Sequence, residues 1–388
     1  MIRPQTPAGQ ARARAASPSL PTIAREWGRI GCIGFGGPPA HIALLRELCV
    51  ERRGWLTNVQ FERAIAATNL LPGPSSTQLA IYCAWRLRGT GGALLGGVCF
   101  IVPGLAAIIA LAVLFIGGSP PTWARAAGAG ASAAVAAVAV KAGTAVALPI
   151  WEQATTLDRR ARVLAYGLAG ALAAALLGPW LVLVLLACGA VELAVERRSG
   201  WPLLAVGAKP GGLLALAWTA LKIGALAFGG GFVIVPLMQA DAVGTYHWMS
   251  HAQFLNAVAL GQLTPGPVVQ TVAVVGYAAA GLPGALLAGA AAFAPSFSFV
   301  LLGGARFERL LADARARAFL AGAAPGAAGA IVGAAVPLAG ALAEGWQYAV
   351  LAGTAVVLLA LGRGIVTTLL LAAGAGLLAA LVGAPIPA

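Results

Sequence analysis

The chain has 388 residues, of which 60% are hydrophobic and 10% charged, and 25 Lys and Arg against 12 Asp and Glu give a net charge of +13. An average soluble domain carries roughly 25% charged residues, so a soluble multi-domain enzyme is nearly excluded. The positive excess reflects missing acids in an apolar chain, which argues against a nucleic-acid binder. With 52 glycines and 24 prolines, the composition favours a membrane protein whose helices pack closely and are sometimes broken.

The first residues are rich in Pro, Ala and Arg, with no acidic residue before Glu26. They lack the apolar stretch of a secretory signal, so we expect a disordered basic tail at 1–21. The remainder divides into a first repeat, 22–200, and a second repeat, 201–388. The charged stretch 196–210 joins them.

Long stretches of the chain hold no Asp, Glu, Lys or Arg; they are 89–124, 163–191, 242–305 and 318–343. Crossing the hydrocarbon core takes about 20 apolar residues as a helix. A lipid-exposed open sheet would leave backbone groups unpaired, so these runs predict helices. The sequence therefore predicts an all-α, polytopic integral membrane protein of 10 to 12 membrane segments, five or six in each half.

A repeat at a constant offset is the most informative feature. Phe35-Gly36-Gly37 recurs as Phe228-Gly229-Gly230, an offset of 228 − 35 = 193, and Pro72-Gly73-Pro74 recurs as Pro265-Gly266-Pro267. The same offset pairs further residues: Trp55 with Trp248, Gln60-Phe61 with Gln253-Phe254, and Gly91 with Gly284. Two homologous halves follow from this register. We call the two motifs FGG and PGP.

Loop charges orient the halves, because short cytoplasmic loops collect Lys and Arg. In the first half the loops at 86–88 and 159–162 are basic, and the loop between them at 117–122 is uncharged. In the second half the loop at 280–283 is uncharged and the next, at 306–317, is basic. Matching loops therefore lie on opposite sides, which defines an inverted-topology repeat.

One inconsistency concerns the number of crossings. The basic linker should be cytoplasmic and the 280–283 loop external, which requires an odd number of crossings where the pattern shows two. We expect the FGG or the PGP segment of each half to be re-entrant. The side of the tail stays open, since its arginines favour the cytoplasm and the crossing count favours the outside.

The FGG segments are the first candidate for substrate binding: Phe35, Gly36, Gly37 and Phe228, Gly229, Gly230. Glycine pairs adopt positive φ and leave backbone N–H groups free to approach a ligand. Arg29 and Lys222 occupy equivalent positions shortly before each motif, since 222 − 29 = 193. A basic side chain inside a membrane segment is a functional candidate, and the alternative is that it snorkels to the interface. Their symmetric recurrence favours an anion site.

The PGP segments are the second candidate. Two prolines around a glycine remove two N–H donors and break the helix. The freed backbone groups need partners, and nearby polar side chains either satisfy them or bind substrate. The alternative is a structural kink. The candidates are Asn69, Pro72, Gly73, Pro74, Thr77 and Gln78 in the first half, and Gln262, Thr264, Pro265, Gly266 and Pro267 in the second.

Other polar residues have narrower expectations. Thr57 with Gln60 and Ser250 with Gln253 each fit a helix capping box. Three acids near the motifs, Glu47, Glu62 and Asp241, are proton-coupling candidates, although an interfacial position is the stronger expectation for each. The five cysteines and three histidines show no metal-ligand spacing, so neither a metal site nor a cofactor is expected.

The ordered motifs resemble the chromate ion transporter family, in its bidomain type. Phe35-Gly36-Gly37-Pro38 to His41, Gly54-Trp55-Leu56 and Leu71-Pro72-Gly73-Pro74 are similar to its first half. Its second half is matched by Phe228-Gly229-Gly230-Gly231, Gly261 to Pro267, Gly276-Tyr277 and Pro295-Ser296-Phe297. One departure is Ala84, where the family leads us to expect a glycine before an aromatic residue. The resemblance covers nearly the whole chain after the tail.

The resemblance implies a multi-pass protein of the inner membrane that exports chromate, is driven by the proton motive force and confers chromate resistance. Its expected partners are chromate or a sulfate-like oxyanion, the lipid bilayer and a second copy of the chain in a homodimer, with no nucleic acid. The alternatives are a transporter of sulfate or another small anion and an anion channel. An enzyme that reduces chromate is not expected, because no cofactor motif or paired redox cysteines appear.

Overall fold

The computed structural model describes residues 17–70, 73–118, 120–177, 180–195, 212–227, 234–303 and 313–387. Most of the predicted tail and the predicted linker 196–210 lie outside the described residues, so the repeat boundary at 200/201 stays a prediction. The first helix begins at Leu20, close to the predicted end of the tail. Helices connected by short loops make up the described part of the chain, as expected for an all-α protein.

The described part of the first half contains eight α-helices. The second and seventh continue into π-helical turns, Glu47–Arg52 and Ala173–Leu177. The eight are α1 (Leu20–Ile33), α2 (Pro38–Arg46), α3 (Asn58–Leu70), α4 (Ser75–Phe115), α5 (Thr122–Ala133), α6 (Val135–Gln153), α7 (Leu157–Leu172) and α8 (Leu181–Val195).

The described part of the second half follows the same order. Its helices are α9 (Gly212–Leu226), α10 (Ile234–Gln239), α11 (His251–Leu263), α12 (Val272–Gly303), α13 (Ala314–Gly333), α14 (Ala335–Gly340), α15 (Gly345–Ala355) and α16 (Ile365–Leu381). A 3₁₀ turn, Val268–Thr271, precedes α12, and π-helical turns follow α10 at Ala240–Thr245 and α15 at Val356–Ala360.

Five helices in the described part are long and apolar enough to cross a membrane. They are Ser75–Phe115, Thr122–Gln153, Leu157–Leu177, Val268–Gly303 and Ala314–Gly340. Four shorter apolar helices, α8, α9, α15 with its π-helical turn, and α16, accompany them. The chain is therefore an all-α, multi-pass membrane protein.

Helix α4 is a hairpin and not one straight rod. Its backbone leaves the helical region at Arg88 and Gly89, where Gly89 has a φ of 60°. A Cβ on Gly92 would collide with the carbonyl oxygen of Ala84, so the arms 75–87 and 90–115 lie side by side and antiparallel. The first arm is only ~20 Å long, too short for a core of ~30 Å, so it starts near the membrane centre.

Helix α12 repeats this hairpin at Ala280 and Gly281, where Gly281 has a φ of 62°. Gly276 and Gly284 meet across it. The equivalent of Gly284 is therefore Gly92, since 284 − 92 = 192, and the predicted pairing of Gly91 with Gly284 is wrong by one residue. The corrected offset also aligns Ala84, the departure from the family pattern, with Gly276 of the second half.

The one-residue shift has a physical origin at the start of α12. In the second half the helix after PGP begins with a 3₁₀ turn, Val268–Thr271, whereas in the first half α4 is α-helical from Ser75. A 3₁₀ turn rises ~2.0 Å per residue and an α-helix ~1.5 Å. Four 3₁₀ residues thus span about the length of five α-helical ones, which absorbs the missing residue.

The segments before α4 are also re-entrant. Arg88 Nε donates a hydrogen bond of 2.8 Å to the Pro18 carbonyl, so the start of α1 lies beside the turn of the α4 hairpin. Arg53, after α2, forms an ion pair of 2.8 Å with Glu26 on α1. The chain therefore enters and leaves the membrane on one side twice between Pro18 and Arg88, which puts the start of α1 on the side of the basic loops.

Contacts between the two halves establish their opposite orientation. On the second arms of α4 and α12, Gly97 packs against Phe297, and Leu105 packs against Gly289, which is an antiparallel pairing. Gly117 at the far end of α4 lies against Tyr277. The inverted topology is confirmed. We call the end of the bundle with Arg88 the basic side and the end with Gly117 the neutral side.

A buried carboxylate joins the halves on the basic side. Glu192 on α8 is 1% exposed and pairs with Arg159 and, at 3.0 Å, with Arg162, while Tyr166 Oη donates to it at 2.9 Å. Arg159 also donates to the carbonyl of Ala321 in the second half at 2.8 Å. The sequence assigned these arginines only a role in setting the topology. In the structure, Arg159 also connects the two repeats.

Both predicted capping boxes are present. Thr57 N–H donates to Gln60 Oε1 at 2.9 Å and Gln60 N–H to Thr57 Oγ1 at 3.2 Å. Ser250 and Gln253 repeat this exchange at the same two distances. Because each hydroxyl and amide satisfies an orphan N–H of the first turn, α3 and α11 begin at equivalent points.

Two neighbouring glycines test the hairpin of α4. Replacing Gly92 by Ala forces a methyl group into the Ala84 backbone, whereas the Cβ of Gly91→Ala meets no atom within 4 Å. We expect Gly92→Ala to destabilise the protein by about 1–3 kcal/mol, and Gly91→Ala to be neutral or stabilising by up to about 1 kcal/mol. Thermal stability of purified protein in detergent, measured by size-exclusion chromatography, checks both. Equal midpoints for the two variants would contradict the hairpin.

Candidate functional site

The first FGG motif is a tight turn between α1 and α2. Gly36 and Gly37 have φ values of 95° and 74°, so the predicted positive φ of the glycine pair is confirmed. Gly34 ends α1 by donating its N–H to the Ile30 carbonyl at 2.8 Å. Two prolines, Pro38 and Pro39, then start α2, where a missing N–H costs nothing.

Each PGP motif is a second turn near the membrane centre. Gly73 and Gly266 have φ values of 122° and 99°, conformations that favour glycine. A glutamine side chain lies beside each of them, Gln78 in the first half and Gln270 in the second. These glutamines are equivalent at the corrected offset, since 270 − 78 = 192. Gln78 was selected from the sequence, and Gln270 was not; at the offset of 193 the residue aligned with Gln270 is Thr77.

The motifs of the two halves meet each other. Gly266 N–H of the second PGP donates a hydrogen bond of 2.9 Å to the Gly34 carbonyl beside the first FGG. Gly104 on α4 has no side chain where the Pro265 carbonyl passes. We call this region, made of residues 34–37, 73–74 and 264–267, the central junction.

The side-chain amide of Gln270 stabilises the second PGP turn. Its Nε2 donates to Thr264 Oγ1 at 2.9 Å and to the Pro265 carbonyl at 2.8 Å. The Thr264 hydroxyl in turn donates a hydrogen bond of 3.1 Å to the Leu260 carbonyl. A carbonyl freed by the proline break is thus satisfied by a side chain, as breaks inside a membrane require.

His41 contacts the junction and was not selected from the sequence. It is fully buried on α2, with Nε2 2.9 Å from the Gly34 carbonyl and Nδ1 3.2 Å from Ser76 Oγ. Because a carbonyl only accepts, Nε2 carries the proton and a neutral ring accepts from the Ser76 hydroxyl at Nδ1. The sequence signal for His41 is its position four residues after Gly37, within the motif that resembles the family.

The first PGP is followed directly by a helix N-terminus. The first hydrogen bond of α4 runs from Gln78 N–H to the Pro74 carbonyl at 3.0 Å, and no side chain caps the helix. The N–H groups of residues 75–77 therefore point towards the junction with the positive end of the helix dipole. Such ends bind anions readily.

Several buried side-chain atoms have no hydrogen-bond partner among the described residues. They include three potential donors, the Thr77 hydroxyl, the Gln262 Nε2 amide and the Ser296 hydroxyl. Ser296 is equivalent to Gly104, since 296 − 104 = 192, and Gly104 faces the second PGP. A buried donor without a partner costs about 1–3 kcal/mol, so these groups fit a site whose ligand supplies oxygen atoms.

The two equivalent cations differ in their surroundings. Lys222 on α9 forms an ion pair of 2.5 Å with Asp241, and their side chains are 18% and 6% exposed. Arg29 lies on the exposed face of α1 and makes no ion pair with another described residue. The residue equivalent to Asp241 is Leu48, since 241 − 193 = 48. The sequence predicted the pair of cations and did not predict that one of them is neutralised.

The remaining candidates are partly described. Pro74, Thr264, Gly266 and Pro267 are buried in the junction and Thr77 and Gln78 are buried beside it, whereas Phe35 is 44% exposed. Pro265 is half-buried there. Pro72, Phe228, Gly229 and Gly230 lie outside the described residues, and so does the side chain of Asn69. The part of the chain that is described holds no group of three His, Cys, Asp or Glu placed to bind a metal.

The sequence pattern of a known family covers both halves. The family described as "Chromate transporter" matches residues 21–193 and 214–380. The chain belongs to the chromate transporter family. The two matched regions coincide with the two inverted repeats, so the family unit is one half of this transporter.

Relatives support the same assignment. The "Chromate transport protein" of Cupriavidus metallidurans is 30% identical over 375 residues, covering 87% of this chain and 86% of the relative. The "Chromate transport protein" of Pseudomonas aeruginosa is 30% identical over 344 residues, 84% of this chain and 82% of the relative. An "Uncharacterized transporter" of Methanocaldococcus jannaschii is 25% identical over 322 residues, 74% and 76% of the two chains. No solved structure matches the chain.

Proposed function

We propose that this transporter exports chromate, or a similar tetrahedral oxyanion, across the inner membrane through the central junction. The observation that carries the proposal is the helix N-terminus at residues 75–77, beside buried donors without partners, in a chain of the chromate transporter family. N–H and O–H donors fit the four oxygens of such an anion. The PGP breaks would line the path, and the FGG backbone would approach the anion closely.

The charge for the anion comes from the two equivalent cations. Among the described residues no carboxylate pairs with Arg29, which stands about one and a half turns before Gly34 of the junction, so its charge is free for a dianion. Lys222 is compensated by Asp241 and contributes when the anion or a proton weakens that pair. An unpaired charge within the membrane is costly, which favours a role for Arg29 in binding.

The electrical part of the proton motive force is sufficient to drive export. Moving one elementary charge through 100 mV is worth about 2.3 kcal/mol, so a dianion leaving a negative interior gains up to about twice that. No proton has to move in the same cycle. Asp241, a proton-coupling candidate in the sequence, then serves as a counter-charge that keeps Lys222 from holding the anion too tightly.

A second candidate is transport of sulfate through the same site. Sulfate and chromate are both tetrahedral dianions, and the donors named above do not depend on the central atom. Chromate is favoured because two relatives covering more than four fifths of this chain are named chromate transport proteins. Chromate resistance and a homodimer stay predictions.

The role of Arg29 is tested in everted membrane vesicles, into which an exporter accumulates its substrate. We expect Arg29→Ala to lower chromate uptake at least tenfold, because the anion loses its uncompensated cation. Arg29→Lys should retain part of it. The matched control is Arg25→Ala, which removes an exposed charge from α1 one turn closer to the basic side and should change uptake less than twofold. Wild-type uptake by Arg29→Ala at equal expression would refute the role.

The driving force is tested separately with ionophores. In energised everted vesicles, valinomycin with potassium collapses the membrane potential, and nigericin collapses the pH gradient. We expect valinomycin to abolish chromate uptake and nigericin to leave most of it, because the dianion responds to the potential. Loss of uptake with nigericin alone would show an obligatory proton exchange. An excess of sulfate in the same assay measures whether the two oxyanions compete.

A further inference from the structure

The two inverted repeats differ in how one pair of equivalent helices packs. Helices α3 and α11 both begin at a capping box and end at a PGP turn. Helix α11 packs against α5 and α6 of the first half and against α16. Helix α3 packs mainly against α4 of its own half. Among the described residues, the extensive packing of α11 on α5 has no equally extensive counterpart between α3 and α13, which is the counterpart of α5.

Exposure of equivalent residues shows the same difference. Leu255 on α11 is 2% exposed, whereas the side chain of its equivalent Glu62 on α3 is 52% exposed. Ala252 is half-buried, and its equivalent Val59 is 59% exposed. The face that α11 buries in the other half is therefore uncovered on α3.

On the neutral side, a polar contact joins the buried face of α11 to α5. Ser132 Oγ on α5 donates a hydrogen bond of 2.6 Å to Asn256 Oδ1 on α11. The absence of a side chain at Gly128, whose Cβ would lie 3.1 Å from that oxygen, brings the helices together. A cavity of about 360 Å³, lined by Arg125, Asn256 and Gln347 among others, adjoins this contact.

The uncovered helix is attached to its own half on the basic side. Arg46 at the end of α2 donates a hydrogen bond of 2.7 Å to Asn58 and pairs with Glu62, both on α3. Helices α2 and α3 are thus tied at their basic ends and meet the FGG and PGP turns at their central ends. A movement of this pair would reshape the central junction.

We propose that the contact of α5 with α11 is the gate on the neutral side, closed in this structure, and that α3 is the open gate on the basic side. This rests on the proposed transport function. In inverted-repeat transporters two states differ by exchanging the conformations of the repeats. In the opposite state α11 separates from α5, and α3 packs against α13.

The proposed exchange of conformations predicts a second pair of contacting residues. At the repeat offsets, Asn256 corresponds to Arg63, since 256 − 193 = 63, and Ser132 corresponds to Ala324, since 132 + 192 = 324. Arg63 on α3 and Ala324 on α13 should approach each other only when the basic side closes. The anion then has access to the neutral side alone.

Disulfide trapping tests both pairs in membrane vesicles. Mild oxidation of the double variant Ser132→Cys, Asn256→Cys should crosslink α5 to α11 without substrate, and should lower chromate uptake into everted vesicles at least tenfold. Uptake should return on reduction with dithiothreitol. The single variants, treated identically, are the controls for the five native cysteines. The double variant Arg63→Cys, Ala324→Cys should crosslink slowly without chromate and several-fold faster during transport.

The outcomes separate the gate from the transport function. A Ser132–Asn256 crosslink that leaves uptake unchanged overturns the gate, and so does rapid crosslinking of the Arg63–Ala324 pair without substrate. If the wild-type protein takes up no chromate or sulfate, the transport function fails. The resting crosslink between α5 and α11 then still reports whether that contact is closed.

Discussion

The structure depends on how backbone groups are satisfied where helices break inside a membrane. The first FGG turn and the two PGP turns interrupt helices near the membrane centre, and lipid supplies no hydrogen bonds. The Gly34 carbonyl is satisfied by Gly266 N–H of the other half and by His41, while Gln270 serves the Pro265 carbonyl. The two repeats must therefore meet at their breaks, and the same place presents an uncapped helix N-terminus to a substrate.

The distribution of charge follows from that arrangement. The basic loops collect on one side because the segment α1–α2 and the segment from α3 to the first arm of α4 are both re-entrant, so the chain returns to that side at Arg53 and again at Arg88. Within the membrane, Lys222 is compensated by Asp241, whereas Arg29 has no ion-pair partner in the part of the chain that is described. Inverted repeats can thus share a fold while differing in net charge at equivalent points. A transporter that moves a dianion in one direction can use such a difference.

The sequence predicted the helical class, the inverted repeat, the capping boxes and the positive φ of the first FGG because each has a local cause. A glycine pair, a Pro-Gly-Pro or a Thr-x-x-Gln acts within one turn of the chain. It did not predict the slip between Gly91 and Gly92, which arises when a 3₁₀ turn replaces part of an α-helix. The pairing of Lys222 with Asp241 and the burial of His41 depend on tertiary contacts, which no local pattern reports.

The central claim is that an oxyanion binds where the two halves meet at their broken helices. A cryo-electron microscopy structure of the transporter with chromate, compared with one without it, tests this most directly. We predict added density between the first FGG turn and the N-terminus of α4, within hydrogen-bond distance of Thr77 and near Arg29. Chromate density at the periphery of the bundle, with the junction unchanged, would contradict the account.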